Sequence, residues 1–493
     1  MGKKKNKNKV SGAVKTAAKT EKKLANKLKK ELANLGEEDI AKVIAEIERE
    51  EAKRAAATEK TLPGPPSARA YASLTPHPIN NELILFGGEY HNGQKTEVYN
   101  ELIFYNPVNN TWRQVKAPGA PPPRSAHQAV TTPANKGELW VFGGEFTSPT
   151  ETQFHHYKDL WCFSLADKKW EKVIAPNGPS PRSGHRMVLL GRKLLVFGGY
   201  CDDGRECRYF DDLYAFCLDT RSWEKLSPSG RGPSARSACI MVPAGNESLI
   251  VYGGFSRARD GRTERTLTHT DMFRLTSKCG AWAWRSLASG GRPARAGLAA
   301  AVNVHANKAY VFGGVSDVEE TEEELRGEMS DELQLLDLET GRWHNVTLRV
   351  EQQAAAPAHT EVKSEDIPAE PVTVISDDVF TVRLGGARAC GVSETGDTPR
   401  VRARAGGPGA RMSAMLAAHR SVLYVYGGVL ERDDKQFYLA DMYSLDLHKL
   451  HDWKTIVEQP SLPDWLGSES EEESGSDNES DDSEESDDES DDE

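Results

Sequence analysis

Leu83-Ile84-Leu85-Phe86-Gly87-Gly88 is an apolar run closed by an aromatic residue and two glycines, and the chain writes this phrase six times. The other copies are Leu139-Trp140-Val141-Phe142-Gly143-Gly144, Leu194-Leu195-Val196-Phe197-Gly198-Gly199, Leu249-Ile250-Val251-Tyr252-Gly253-Gly254, Ala309-Tyr310-Val311-Phe312-Gly313-Gly314 and Leu423-Tyr424-Val425-Tyr426-Gly427-Gly428. Successive pairs lie 56, 55, 55, 60 and 114 residues apart. That period suits one four-stranded propeller blade with a generous loop, and the doubled last interval marks an insertion.

Each glycine pair has escorts in a fixed order. Upstream stands an arginine before small residues or histidine: Arg69, Arg124, Arg182, Arg236, Arg295 and Arg411. Downstream an acidic residue precedes an apolar segment, at Glu101, Asp159, Asp212, Asp271, Glu332 and Asp441. A tryptophan then opens the closing strand: Trp112, Trp170, Trp223, Trp284, Trp343 and Trp453. The continuous apolar runs read as strands buried on both faces between neighbouring blades. The glycines permit φ values closed to residues with a Cβ, near the crowded middle of a radial array. The tryptophans offer a flat surface for packing one blade on the next, with an indole N–H that should find a partner near the rim. No single blade buries both faces, so stability must come from neighbours and ring closure.

This pattern resembles the kelch repeat over about residues 63 to 458. With the lysine-rich N-terminus and the helical stretch beginning Glu37-Glu38-Asp39-Ile40, it is similar to the kelch domain-containing protein 4 group. The expected fold is an all-β, six-bladed propeller with an N-terminal extension and an acidic C-terminal tail. All strands of each blade occur in chain order, so no leftover strand is evident to latch the ring. The segment Thr373 to Leu384, inside an insertion at about residues 350–400, has strand–turn–strand character and is a candidate latch.

Outside the repeats, residues 1–36 form a basic arm. Its first 30 residues hold twelve lysines and one glutamate, a pattern that fits a nuclear address, a nucleic-acid contact or a solvated arm. Residues 37–60 are expected to form an amphipathic helix, with Ile40, Val43, Ile44 and Ile47 on one stripe, docked on the propeller or in a partner's groove. Residues 461–493 are almost wholly Ser, Asp and Glu, and the last 30 residues carry 17 acidic and no basic side chains. Such a tail cannot bury a core; it either competes for basic proteins or keeps the molecule soluble. Ser468, Ser470, Ser476 and Ser483 are candidate phosphosites for an acidophilic kinase.

The 493 residues carry a net charge of −13, but the propeller itself accounts for only about −3. No apolar run is long enough to span a membrane, and seven scattered cysteines fit a reducing compartment, so a cytoplasmic and/or nuclear location is expected, with no membrane partner. Cys201 and Cys207 share a loop without a second ligand pair, so no metal is expected. His127 and His185 occupy equivalent repeat positions and read as structural rather than as copper ligands, so no catalytic residue and no cofactor is expected. A role as substrate receptor for a cullin ubiquitin ligase needs an adaptor-binding module, for which the flanking segments offer little room. The expected function is therefore a non-enzymatic scaffold for protein partners, with nucleic acid conceivable only through the lysine-rich arm.

Strand direction places the b–c and d–a connections on one face and the a–b and c–d turns on the other. The b–c loops are long, and long loops on a rigid frame are where recognition is usually placed. Those of blades 3 and 4 carry Arg205, Arg208, Arg257, Arg259, Arg262 and Arg265, the candidate partner-binding residues, whereas blade 5 carries Glu319, Glu320, Glu322, Glu323 and Glu324.

Overall fold

The computed structural model describes residues 38–348, 373–384 and 406–466, apart from 203, 205, 261, 262, 291, 293, 320–324, 378, 379, 433, 434 and 464. Six antiparallel sheets form the blades, each with strands a to d in chain order. In blade 1 they are Ser73–Pro76, Leu83–Phe86, Leu102–Asn106 and Thr111–Lys116; in blade 6, Met415–His419, Val422–Tyr426, Met442–Asp446 and Lys454–Val457. Every b strand ends at the aromatic residue before its glycine pair. The b strand Leu83–Phe86 is buried at all positions, as flanking blades on both sides require, whereas the rim strand Lys169–Val173 buries only Trp170 and Val173.

The joint between blades repeats around the ring. The second glycine of each pair donates its N–H to the carbonyl of the next blade's arginine, at 3.0 Å for Gly88 and Arg124. Gly88 has φ of +94°, and a Cβ there would come within 2.8 Å of the Ala70 carbonyl oxygen, so the joint requires glycine. The aromatic residue before the pair packs on the next blade's tryptophan, as Phe86 does on Trp170 at 5.2 Å between ring centroids. The arginine is buried, donates to the first glycine's carbonyl in its own blade and pairs with the acidic residue opening strand c; Arg124 reaches Gly143 O at 3.0 Å and Asp159 at 2.8 Å. Burial acts to raise the pKa of Asp159, and the Arg124 guanidinium overrides it to hold the carboxyl below its ordinary value. Arg295 departs from the pattern: it keeps an ion pair with Glu332 at 3.0 Å, but its Nε has no partner.

Closure uses this same joint. Gly428 N–H donates to Arg69 C=O at 3.1 Å, Tyr426 packs on Trp112 at 6.2 Å, and Leu85, Ile103, Met415 and Tyr424 share one apolar cluster across the seam. The Tyr426 hydroxyl also donates to the carbonyl oxygens of Pro66 and Ser67. The candidate latch, Thr373–Asp377 with Phe380–Leu384, forms a hairpin that pairs only with itself, so it takes no part in blade pairing among the described residues. Two smaller expectations are also corrected. Trp453 lies just ahead of its strand, and the Trp343 indole N–H is buried without a partner.

The amphipathic helix is shorter than residues 37–60. It runs Ile40–Ala52, capped by the Asp39 side chain on Ala41 N–H, and docks on blade 2 of its own chain. Ile44 is buried, Gln153 bonds both Glu38 O and Ile40 N, and Glu48 meets Lys172 at 3.0 Å. The chain then adds Thr58–Thr61 as a fifth, outermost strand of blade 1, paired antiparallel with strand d. After blade 6, Trp465 lies between His91 of blade 1 and Phe437 of blade 6, and Leu466 N–H donates to Asn92 O at 3.0 Å.

Candidate functional site

The b–c connections are ordered. Each folds back as a two-stranded hairpin on the face where strands b end: Glu89–His91 with Thr96–Val98, Glu145–Thr147 with Phe154–His156, Tyr200–Asp202 with Cys207–Tyr209, Phe255–Asp260 with Thr263–Thr268, Val315–Glu319 with Leu325–Met329, and Val429–Arg432 with Lys435–Tyr438. Six hairpins on one rigid ring make a crown.

Inside the crown, backbone chemistry defines the axis. The residue after each repeat arginine bridges the residue after the glycine pair of the same blade, as in Ser125 with Glu145. The next residue in each blade, Tyr71, Ala126, Gly184, Ala238, Gly297 and Ser413, sits in the left-handed region, and five N–H groups of this set donate to the carbonyl of the preceding blade. This chain of hydrogen bonds follows the axial mouth from blade 1 to blade 6 and is open between Tyr71 and Ser413, at the seam. The residues after the glycine pairs line the mouth on five blades, Glu89, Glu145 and Tyr200 on blades 1 to 3 and Phe255 and Val315 on blades 4 and 5, while Val429 of blade 6 is buried against Ala70 and Tyr438. One half of the mouth is therefore acidic and hydroxylic and the other apolar.

The acidic half is tightly bonded. Ser125 donates to Glu89 at 2.6 Å and the Tyr438 hydroxyl to its other oxygen at 3.3 Å. Ser183 donates to Glu145 at 3.0 Å, Tyr200 at 3.1 Å, and His156 Nδ1 lies 3.4 Å away. Burial, and then the charge of Glu89, push the Glu145 carboxyl up to about 7 against those hydroxyl bonds. Burial raises Glu89 in the same way. The Asp202 N–H donates to His156 Nε2 at 3.0 Å, which leaves the ring proton on Nδ1, and burial lowers this imidazole to about 4; it is neutral at pH 7.

On the opposite face, a cavity of about 250 Å³ is lined by Glu59, His77, Asn80, Arg113 and Lys168. Its charges already close on one another, Arg113 with Glu82 at 3.0 Å and Lys168 with Glu59 at 2.5 Å. Among the described residues, no group of three or more His, Cys, Asp or Glu is placed to hold a metal ion, and no helix is long and apolar enough to cross a membrane.

Comparison with known proteins adds the lineage of this ring. Residues 72–282 and, overlapping them, 184–366 match the family model described as the KLHDC2/KLHL20/DRC7 Kelch-repeats domain. The chain belongs to the kelch-repeat family. Its kelch region is 28% identical over 299 residues to host cell factor of Drosophila melanogaster, covering 55% of this chain and 18% of that protein. It is 30% identical over 181 residues to acyl-CoA-binding domain-containing protein 4 of Arabidopsis thaliana, covering 36% of this chain and 25% of that protein. The match thus spans a quarter or less of either relative. The solved structure of YjhT aligns with 80% of this chain and 99% of its own, at 15% identity and a TM-score of 0.49.

The kelch hairpins hold the residues singled out from the sequence. Arg208 is exposed on the third hairpin, its guanidinium carbon 5.5 Å from the Phe210 ring centroid, and Arg257 is exposed on the fourth. Arg259 and Arg265 lie on the paired strands of that fourth hairpin, opposite Glu264 and Ala258. Arg205 and Arg262 lie outside the described residues, as do Glu320, Glu322, Glu323, Glu324 and the candidate phosphosites Ser468, Ser470, Ser476 and Ser483. The twelve repeat glycines sit at the joints with positive φ. His127 and His185 are buried between blades, edge-on to Phe86 and Phe142; burial lowers His127 to about 3 and holds His185 well below its ordinary value. Sequence reasoning missed the axial residues. The signal was present: reading one position beyond each glycine pair gives Glu, Glu, Tyr, Phe, Val, Val.

Proposed function

We propose that this kelch propeller is a non-catalytic scaffold that captures protein partners on its hairpin face, and that it falls in the kelch domain-containing protein 4 group. The observation that carries the reading is the crown itself. Six hairpins project from one face of the ring, and the four-stranded blades are complete without their strands. Propellers of this family generally mediate protein interactions rather than catalysis, and rigid hairpins meet a partner at low cost in conformational entropy. Unequal charge around the crown supports selectivity, with Arg208 and Arg257 in one sector and Glu89 and Glu145 in another.

The test is capture by the full chain followed by cross-linking mass spectrometry. Cross-links on the hairpins, lost in the variant Arg257→Glu/Arg259→Glu/Arg262→Glu at unchanged thermal stability, are expected. Substituting Arg192 and Lys193, which lie in a tight turn of the opposite face, should leave capture intact. Equal capture by wild type and triple variant at low salt refutes the basic sector, and cross-links confined to the opposite face refute the reading as a whole.

A further inference from the structure

The acids that open the c strands have a cation, whereas the buried Glu138 is bonded by Asn135 and the Trp140 indole instead. Asp159, Asp212 and Asp441 each hold a buried repeat arginine at 2.8 Å or less. Glu89 and Glu145 differ from the strand-opening acids. Both are partly exposed at the axial mouth, and no lysine or arginine among the described residues forms an ion pair with either. His156 does not fill the gap, because its Nε2 accepts the Asp202 N–H and the ring is neutral. Hydroxyl donors spread the carboxylate charge without cancelling it. Withdrawing two such groups from water without a countercharge is costly, and a cation arriving from outside would recover much of that cost.

The rest of the mouth narrows the cation's form. Opposite the carboxylates stand Phe255 and Val315, and beside them are the rings of Tyr200 and Tyr438. A lysine or arginine side chain has the matching construction, an apolar stem with a cationic head, and aromatic neighbours favour such a head. We propose that the axial mouth binds a lysine or arginine side chain presented by a basic segment of a partner protein. This rests on the hairpin face being the partner-binding face and specifies the partner's chemistry at its centre. The acidic segment supports it from outside the mouth. Leu466 is bonded to Asn92 in the first hairpin, and the sequence directly after it is strongly acidic, which attracts a basic partner.

Titration calorimetry of the full chain at low salt with an alternating arginine–glycine peptide, acetylated and amidated at its ends, tests the site. Wild type should bind, and Glu89→Gln/Glu145→Gln should bind at least about tenfold more weakly, since two close charges are removed. Wild-type affinity should rise between about pH 6 and pH 8 as Glu145 ionises in the presence of Glu89, Asp202, His156 and Tyr200, while the double variant shows no such rise. Val315→Lys, at a partly exposed position of the apolar half, supplies a cation in cis and should also block the peptide, which guards against misfolding of the double variant as the cause. A chain ending at Gly467 should keep the part of the binding that Glu89→Gln/Glu145→Gln removes. Equal affinity of wild type and double variant, or complete loss on removing the tail alone, overturns the site. Absence of peptide binding by wild type also overturns it and leaves the hairpin-face reading standing, since the blade 4 charge reversals test that independently.

Discussion

Replacing Glu145 by glutamine should stabilise the ring at alkaline pH and do little at acidic pH. The carboxyl is held at about 7 against an ordinary 4.5, which corresponds to about 3 kcal/mol of folding free energy. The direction follows from proton binding. A folded-state pKa above the unfolded one means that the folded protein holds the proton more tightly, so ionisation costs nothing below about pH 4.5 and its full amount above about pH 7. Glutamine keeps an acceptor for the hydroxyls of Ser183 and Tyr200 and carries no charge at any pH. The variant-minus-wild-type difference should therefore grow from about 1 kcal/mol at pH 5 to as much as about 3 kcal/mol at pH 8. For a ring of this size unfolding as one unit, that is a rise in Tm of roughly 4 °C. Scanning calorimetry of both proteins at both pH values measures it. His156, lowered to about 4 from an ordinary 6.5, adds its own pH dependence below about 6.5 to both proteins alike, so it drops out of the difference. A difference that is constant across the window, or that shrinks as pH rises, refutes the claim that Glu145 is held uncompensated.

The joints should respond unequally to loss of their arginines. Arg411 and Asp441 are 2% and 3% exposed, so Arg411→Leu strands a buried carboxylate and should cost about 3–5 kcal/mol. Arg295 faces a Glu332 that is 56% exposed, so Arg295→Leu should cost about 1 kcal/mol or less in denaturant unfolding. Trp465→Ala should speed hydrogen exchange in the first and sixth hairpins, whose His91 and Phe437 it separates, and leave the third and fourth unchanged.

What could be read from the chain and what could not divides along physical lines. Glycine pairs, repeat arginines and tryptophans were legible because each meets a local demand: a φ that needs glycine, a buried cation and an acid at a fixed interval, a large flat ring at the rim. The strand Thr58–Thr61 was illegible for the opposite reason. All four of its residues are exposed, so no hydrophobic alternation betrays it, and only the open edge of blade 1 makes it a strand. The long b–c connections looked like loops because their short strands owe their pairing to the joint beneath them. The helix showed its apolar stripe, but its dock on blade 2 depends on Gln153 and Lys172, more than a hundred residues away. Glu89 and Glu145 are ordinary surface residues in isolation. They become unusual only when six blades bring them to one axis.

The seam between blades 6 and 1 is held by the same glycine, arginine, aromatic and tryptophan as the other five joints, with no strand exchanged across it among the described residues. The repeated joint by itself therefore marks no starting point; only the Trp465 contacts and the Tyr426 hydroxyl bonds are special to the present seam. A gene rewired to begin at blade 4 and end at blade 3, with the sequences on either side of the present seam spliced by a linker, would have to make the same joints and close the same circle. In this architecture the order in which blades are made matters less than their number, and a copy with one blade duplicated or deleted would meet a mismatch of curvature rather than the loss of a unique clasp.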